Sequence, residues 1–244
     1  MKNLDEQKKI VILIDADNAQ VMKVKNILEE ISAHGHIVIK RAYGDWSSSC
    51  LKNWKQVLNE LAIQPIQQFA YTTGKNSTDA SMIIDAMDLL HLDEFDVFVL
   101  VSSDSDFTKL ASRLRESEII VYGVGEKKTP VSFQNSCDNF IYTENIGEMK
   151  NIQKPSFTKD HSAQDLIPLL QKAWEQCKDK DGWANMSLVG NYLKQSNPDF
   201  DPRTYPGAKL SQIIESLRST FRVRRRKNAN GNATIVKYRP ITKS

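Results

Sequence analysis

Residues 97–110, VFVLVSSDSDFTKL, decide how this chain is read. A continuous apolar run of β-branched and aromatic residues ends on Ser102-Ser103-Asp104-Ser105-Asp106, and an amphipathic helical pattern begins at once. Such a run suits a strand buried on both faces, the kind found in parallel sheets covered by helices. Residues 10–18, IVILIDADN, repeat the pattern and end on Asp15, Asp17 and Asn18. Two buried strands that each deliver carboxylates at their ends point to one shared site. In open α/β sheets, ligands sit outside the carboxyl ends of the strands.

Outward from these two runs, the same alternation continues from residue 9 to about 142. KIVILID, HIVIKRAY, IQPIQQFAY, DVFVLVS, EIIVYGV and NFIYT are expected strands, and the periodic segments 20–33, 50–61, 78–91 and 106–116 are expected helices. Strand-helix alternation argues for a mostly parallel sheet, and right-handed crossovers then limit its topology. Residues 146–161 lack sustained periodicity and contain Pro155, so they form a linker candidate. Beyond it, helical patterns at 163–177, 186–195 and 207–219 precede two strand-like pieces, FRVRRRK and ATIVKYR, joined by the turn sequence Asn228-Ala229-Asn230-Gly231-Asn232. Three helices and a hairpin make a small winged-helix module. The expected division is 1–145, a linker at 146–161, and 162–240.

Composition sets outer limits. The hydrophobic share of 40% and charged share of 26% are those of an ordinary globular protein. No apolar run approaches the roughly 18–20 residues of a membrane span. The N-terminal MKNLDEQKKI is polar, unlike a signal or transit peptide. The three cysteines, Cys50, Cys137 and Cys177, have neither disulfide nor zinc spacing, which suggests reduced thiols and a cytoplasmic location. The net charge of +3 conceals an asymmetry: residues 160–244 hold 15 basic and 8 acidic side chains, the rest 18 basic and 22 acidic. A basic module after an acidic one suits a polyanionic partner, although a solvated lysine-rich surface has the same composition.

The acids carry the chemistry. Asp15, Asp17, Asp104 and Asp106 lie at strand ends or in the turns after them, and Asp79 in the first turn of the helix expected over 78–91. Asp85, six residues later, sits about 120° round that helix from Asp79, so it is assigned a supporting role. Any one of these acids alone would be an ordinary helix cap worth about 1 kcal/mol. Four converging carboxylates repel one another unless a cation neutralises them. With no His/Cys cluster, hard oxygen-seeking Mg²⁺ or Mn²⁺ is the expected ion. Such a site suits phosphodiester hydrolysis. Asp15, Asp79, Asp104 and Asp106 are the expected catalytic and metal-holding residues. Asp17, Asn18, Lys75, Asp85 and Ser103 are expected to support the acids or touch substrate.

ILIDADNA, GKNSTDASMIIDAMDLL and VLVSSDSDFTKLASRLRESEIIVYGVG together resemble the NYN domain, a branch of the PIN-like nuclease superfamily, over residues 9–145. The resemblance implies a PIN-like α/β sandwich with sheet order 3-2-1-4-5 and a Mg²⁺- or Mn²⁺-dependent ribonuclease, with the family acids at Asp15, Asp79, Asp104 and Asp106. Ala16-Asp17-Asn18 departs from the Gly-x-Asn or Gly-Glu-Asn that the family often has there and leaves Asp17 as an extra acid. Residues 162–240, with Gly182-Trp183, Tyr205-Pro206-Gly207-Ala208-Lys209-Leu210 and Phe221-Arg222-Val223, are similar to the LOTUS (OST-HTH) winged-helix domain. That similarity implies a partner of single-stranded or structured RNA, guanine-rich RNA included. Lys209, Arg222, Arg224, Arg225, Arg226 and Lys227 are the expected RNA contacts, although three consecutive arginines cannot all face one way. Trp183 and Tyr205 are read as core. Two other functions fit less of the sequence. A non-catalytic RNA-binding adaptor would be expected to lack an acid. A haloacid-dehalogenase-like phosphatase shares the Asp-x-Asp strand end but wants Thr or Val where Ala19 stands.

Overall fold

A computed structural model describes residues 7–69, 77–147, 162–205, 209–227 and 234–241, with backbone alone for 77 and 227. The chain divides into two compact units, residues 1–151 and 152–244.

The first unit is built on six parallel strands: β1 (Lys9–Asp15), β2 (His36–Gly44), β3 (Gln64–Gln67), β4 (Val97–Val101), β5 (Ile120–Gly125) and β6 (Asn139–Tyr142). Their order is β3-β2-β1-β4-β5-β6, which is the expected order extended by one strand. The helices are α1 (Val24–Ile31), α2 (Trp54–Glu60), α3 (Ser77–His91), α4 (Thr108–Glu116) and α5 (Val131–Ser136). Because side chains alternate along a strand, each central strand feeds two cores. Ile10, Ile12 and Ile14 join Val97, Val99 and Val101 beneath α1 and α2. Val11, Leu13, Phe98 and Leu100 join Met82, Ala86 and Leu89 of α3 and Leu110, Ala111 and Leu114 of α4. Burial on both faces is why β1 and β4 read as unbroken apolar runs.

Several expected helices start later than their periodicity. Short 3₁₀ turns at Val21–Lys23, Ser49–Leu51 and Ser105–Phe107 precede α1, α2 and α4. α5, which the periodicity does not announce, is six residues long with Pro130 at its N-cap. Gly125 ends β5 where a side chain has no room: a Cβ there would lie 2.6 Å from the Ser102 carbonyl oxygen. This close approach brings the ends of β4 and β5 together beside Ser102.

In the second unit α6 (Ile167–Cys177), α7 (Met186–Ser196) and α8 (Leu210–Ser216) pack around Leu170, Ala173, Val189, Leu193, Ile213 and Ile214. A hairpin of β8 (Phe221–Lys227) and β9 (Thr234–Pro240) closes that core with Phe221 and Tyr238. The Tyr238 hydroxyl donates to the Leu170 carbonyl at 2.7 Å, which satisfies the one polar atom the ring buries. A short β7 (Ala184–Asn185), not evident from sequence, adds to β9 and completes a winged-helix fold of sheet order β7-β9-β8. Among the described residues no helix is long and apolar enough to cross a membrane. The hairpin turn 228–233 and most of the linker candidate lie outside the described residues.

Candidate metal centre and arginine face

β1 and β4 are neighbours, with Ile14 opposite Val101, so Asp15 and Ser102 leave the sheet side by side. Asp15 is almost fully buried. Its Oδ2 accepts from Ser102 Oγ at 2.7 Å and from Asn18 Nδ2 at 2.8 Å. Its Oδ1 is buried and has no hydrogen-bond partner among the described residues. Burial pushes the Asp15 carboxyl above its ordinary range, and the bonds from Asn18 and Ser102 offset part of that rise. Ser102 Oγ also accepts the Asp104 backbone N–H at 3.1 Å, so one hydroxyl ties the ends of both strands together.

Asp104 caps the turn that starts α4, accepting the Asp106 N–H at 2.9 Å. One carboxylate therefore both caps this turn and lies in the acid cluster. Asp79 arrives from the first turn of α3. Asp79, Asp104 and Asp106 each bring one oxygen to within 4.8 Å of the others. Desolvation, then the charges of Asp15, Asp104, Asp106 and Asp17, push the Asp79 carboxyl up to about 6. A divalent cation among Asp79, Asp104 and Asp106 would relieve the repulsion at Asp79, whereas Asp15 lies outside that group of three and acts on Asp79 through its charge. The all-carboxylate donor set fits a hard ion.

The supporting residues divide. Asn18 orients Asp15. Asp17 is exposed and contributes charge at Asp79. Ser103 Oγ accepts the Glu126 N–H at 2.9 Å, joining the β4 and β5 loops. Asp85 does not join the acids: it accepts from the Arg41 guanidinium and the Tyr43 hydroxyl on β2. Burial, then that carboxylate, raise the Tyr43 pKa, so the phenol stays protonated. Lys75 lies outside the described residues. Ser102 is the residue that sequence reasoning passed over; its signal was a hydroxyl directly after the last apolar position of β4.

In the second unit a turn at 179–183 presents Trp183. Asp179 Oδ1 accepts the N–H groups of Asp181 and Trp183 at 3.0 and 2.9 Å, and Gly182 takes a φ of 75°. Such positive values favour glycine. Trp183 is half-buried rather than core, and the guanidiniums of Arg224 and Arg239 lie 4.5 and 4.8 Å from its ring centroid. β-strand alternation puts Arg222, Arg224 and Arg226 on one face of β8, with Arg239 opposite Arg222. Arg225, out of step with these three, pairs with Glu215, and both also line the groove beside this face. Trp183, Arg218, Arg222, Arg224 and Arg239 line a groove of about 600 Å³. Arg239 and Arg218 are additions to the expected basic set. Tyr205 packs on the core as expected. Lys209 is exposed at the start of α8, and the Lys227 side chain lies outside the described residues.

A search of curated proteins finds no match. Among solved structures the chain is similar to a Vibrio parahaemolyticus protein of unknown function, at 20% identity over 58% of this chain and 96% of that one, with a TM-score of 0.47. It is also similar to an uncharacterised Nitrosomonas europaea protein, at 27% identity over 40% of this chain and 89% of that one, with a TM-score of 0.32. Residues 159–233 match the OST-HTH/LOTUS domain, a type that binds RNA. Residues 9–146, the part that carries the acid cluster, match the NYN domain, and the chain belongs to this family of PIN-like nuclease domains.

Proposed function

We propose that this chain is a divalent-metal-dependent ribonuclease that cuts RNA internally and holds its substrate with the second unit. The reading is supported by one observation: Asp79, Asp104 and Asp106 each bring an oxygen to within 4.8 Å of the others, and the charge of the buried Asp15 acts on Asp79. Asp15, Asp79, Asp104 and Asp106 would hold Mg²⁺ or Mn²⁺. When bound, such an ion lowers the pKa of an attacking water and neutralises charge growing on the phosphate.

The rest is the work of this chain's own residues. Ser102 and Asn18 occupy Asp15 Oδ2, which orients the carboxylate and leaves Oδ1 free for a cation. Ser102 also holds the Asp104 backbone at the same edge. Asp79, with its carboxyl raised to about 6, would act as a ligand in its ionised form, because ligation requires the carboxylate. Asp17 deepens the negative field, and Lys75 is assigned to substrate phosphate.

The expected limits, 1–145 for the nuclease, 146–161 for the linker and 162–240 for the RNA-binding module, remain our division. Arg222, Arg224 and Arg226 on one strand face, with Lys209 and Lys227, are assigned to RNA phosphates. Arg225 is satisfied by Glu215, which supports a structural role. Tethering a basic module to an acidic catalytic one raises the local concentration of a substrate that the acids alone would repel. Three free cysteines without disulfide spacing support a cytoplasmic setting.

The test is cleavage of labelled single-stranded, structured and guanine-rich RNA, and of DNA, by the full chain in Mg²⁺, Mn²⁺ or EDTA, beside Asp104→Asn. Internal cuts in RNA that require metal and vanish in the variant are expected. Tight RNA binding with no cutting under either ion would leave a non-catalytic adaptor instead.

A further inference from the structure

Helix α3 carries two acids with opposite surroundings. Asp79 faces other carboxylates, whereas Asp85 accepts from Arg41 and Tyr43. Both donors stand on β2 two residues apart, so they share a face of the sheet. Tyr43 is fully buried, in the same core as Met82, Ala86 and Leu89 of α3. Arg41 also reaches Gln64 Oε1 of β3 at 3.4 Å. One carboxylate thus ties α3 to β2.

The apolar pattern of α3 does little to set its rotation. Asp79, Met82, Ala86 and Leu89 form one stripe, but Ile83, Met87 and Leu90 are also partly buried, and Ile84 is 63% exposed. A helix apolar on several sides can turn about its axis and still bury similar area, because the hydrophobic effect is non-directional. Hydrogen bonds to two fixed donors forbid that turn. A rotation of about 20° would sweep a side-chain tip at a radius of about 5–6 Å through roughly 2 Å. Displacements of about 1 Å already cost catalytic sites on the order of 10²-fold.

We propose that Asp85, gripped by Arg41 and Tyr43, is a positioning residue that sets the rotation of α3 and so places the Asp79 carboxylate against Asp104 and Asp106. The inference rests on the acid cluster being a metal site, and it extends that reading to a polar link on the sheet that touches no metal itself. Its cost on loss resembles that of outer-sphere partners of metal ligands, on the order of 10–100-fold in affinity.

The experiment is Mn²⁺ binding to the full chain by calorimetry and electron paramagnetic resonance, with RNA cleavage measured in parallel. Asp85→Asn keeps the shape and removes the charge. Tyr43→Phe removes a single hydrogen bond at nearly constant volume and serves if Asp85→Asn does not fold. Mn²⁺ affinity is expected to weaken about tenfold in Asp85→Asn and less in Tyr43→Phe, with kcat lowered and KM for RNA unchanged. Asp85→Glu should recover part of the loss. A purely structural role would lower the melting temperature and leave Mn²⁺ affinity of the folded variants unchanged, which would overturn the proposal even if the wild type cuts RNA. Weakened Mn²⁺ binding in the variants of a wild type that cuts no RNA would uphold the positioning role and defeat the nuclease reading. A wild type that binds no Mn²⁺ would overturn both.

Discussion

The acid edge of the first unit and the arginine face of the second deal with like charge in opposite ways. In the second unit, Arg225 has Glu215, Lys237 has Asp179, and the guanidiniums of Arg224 and Arg239 lie against the Trp183 ring. Part of that positive charge is met within the unit, while Arg224 Nε is buried with no hydrogen-bond partner among the described residues. At the acid edge, the hydrogen bonds to Asp15 come from a serine and an amide, and the bond to Asp104 from a backbone N–H. The neighbours felt by Asp79 are more acids. The difference is not a property of the sequence neighbourhood, because Asp85 on the same helix as Asp79 has an arginine. The arginine face meets part of its charge from within, whereas the acids around Asp79 repel one another, a repulsion that a bound cation would relieve.

Asp15→Asn attacks that contrast hardest. The amide keeps the volume but removes the charge at the orphaned oxygen, so metal-dependent cleavage should fall by on the order of 10²–10³-fold. RNA affinity should hold or tighten slightly, since one repelling charge is gone. Single-turnover cleavage beside RNA binding by fluorescence anisotropy checks both halves. Cleavage within threefold of wild type would mean that the buried acid is structural.

The next two changes probe the arginine face, with smaller effects. Trp183→Ala removes the seat of two guanidiniums, each cation–π contact being worth about 0.5–1 kcal/mol, so RNA affinity should drop on the order of tenfold. Arg222→Ala should weaken binding only a few-fold. It should also lower the slope of log affinity against log salt by about 0.7–0.9, the signature of one lost phosphate contact. Both variants should leave kcat at saturating RNA unchanged. Unaltered affinity in Trp183→Ala would make the ring a packing element, as its sequence context first suggests.

These contrasts also mark what the sequence makes legible. Burial on both faces writes β1 and β4 as continuous apolar runs, and their ends place Asp15 and Asp104 at one edge without further information. Asp79, Asp104 and Asp106, which the structure brings together, are legible because strand ends and helix phase can be read locally. What is not local does not show. Asp85 finds its partners 42 and 44 residues away, and nothing in HIVIKRAY says that Arg41 and Tyr43 point at α3. Trp183 looks like core until β8 and β9 bring two arginines onto its ring. α5, at six residues, is too short for periodicity to register, and β7 is shorter still. Ser102 is hidden differently: serines are ordinary at strand ends, and only the bond to a buried carboxylate gives this one a role.

The smallest effect is also the one that reads the repulsion without any metal. Asp79 has an ordinary carboxyl in the unfolded chain, near 3.8, and one raised to about 6 in the fold, first by burial and then by its acidic neighbours. Between these values the folded state binds more protons than the unfolded one. Stability conferred by the protonated form is therefore fully present below about pH 4 and is lost as pH rises through about 6. Other acids titrate in the same window, so the useful quantity is the difference between Asp79→Asn and wild type. In EDTA the variant should gain a few degrees in melting temperature relative to wild type as pH rises from 4 to 7, and added salt should shrink the gap by screening. Saturating Mg²⁺ should reverse its sign near neutrality, because a bound ion stabilises the wild-type carboxylate and the asparagine offers a poorer ligand. A gap independent of pH would mean that Asp79 stands clear of the other acids. A gap that ignores Mg²⁺ would mean that the repulsion is not held for a cation, and the two charged faces would then differ in degree rather than in kind.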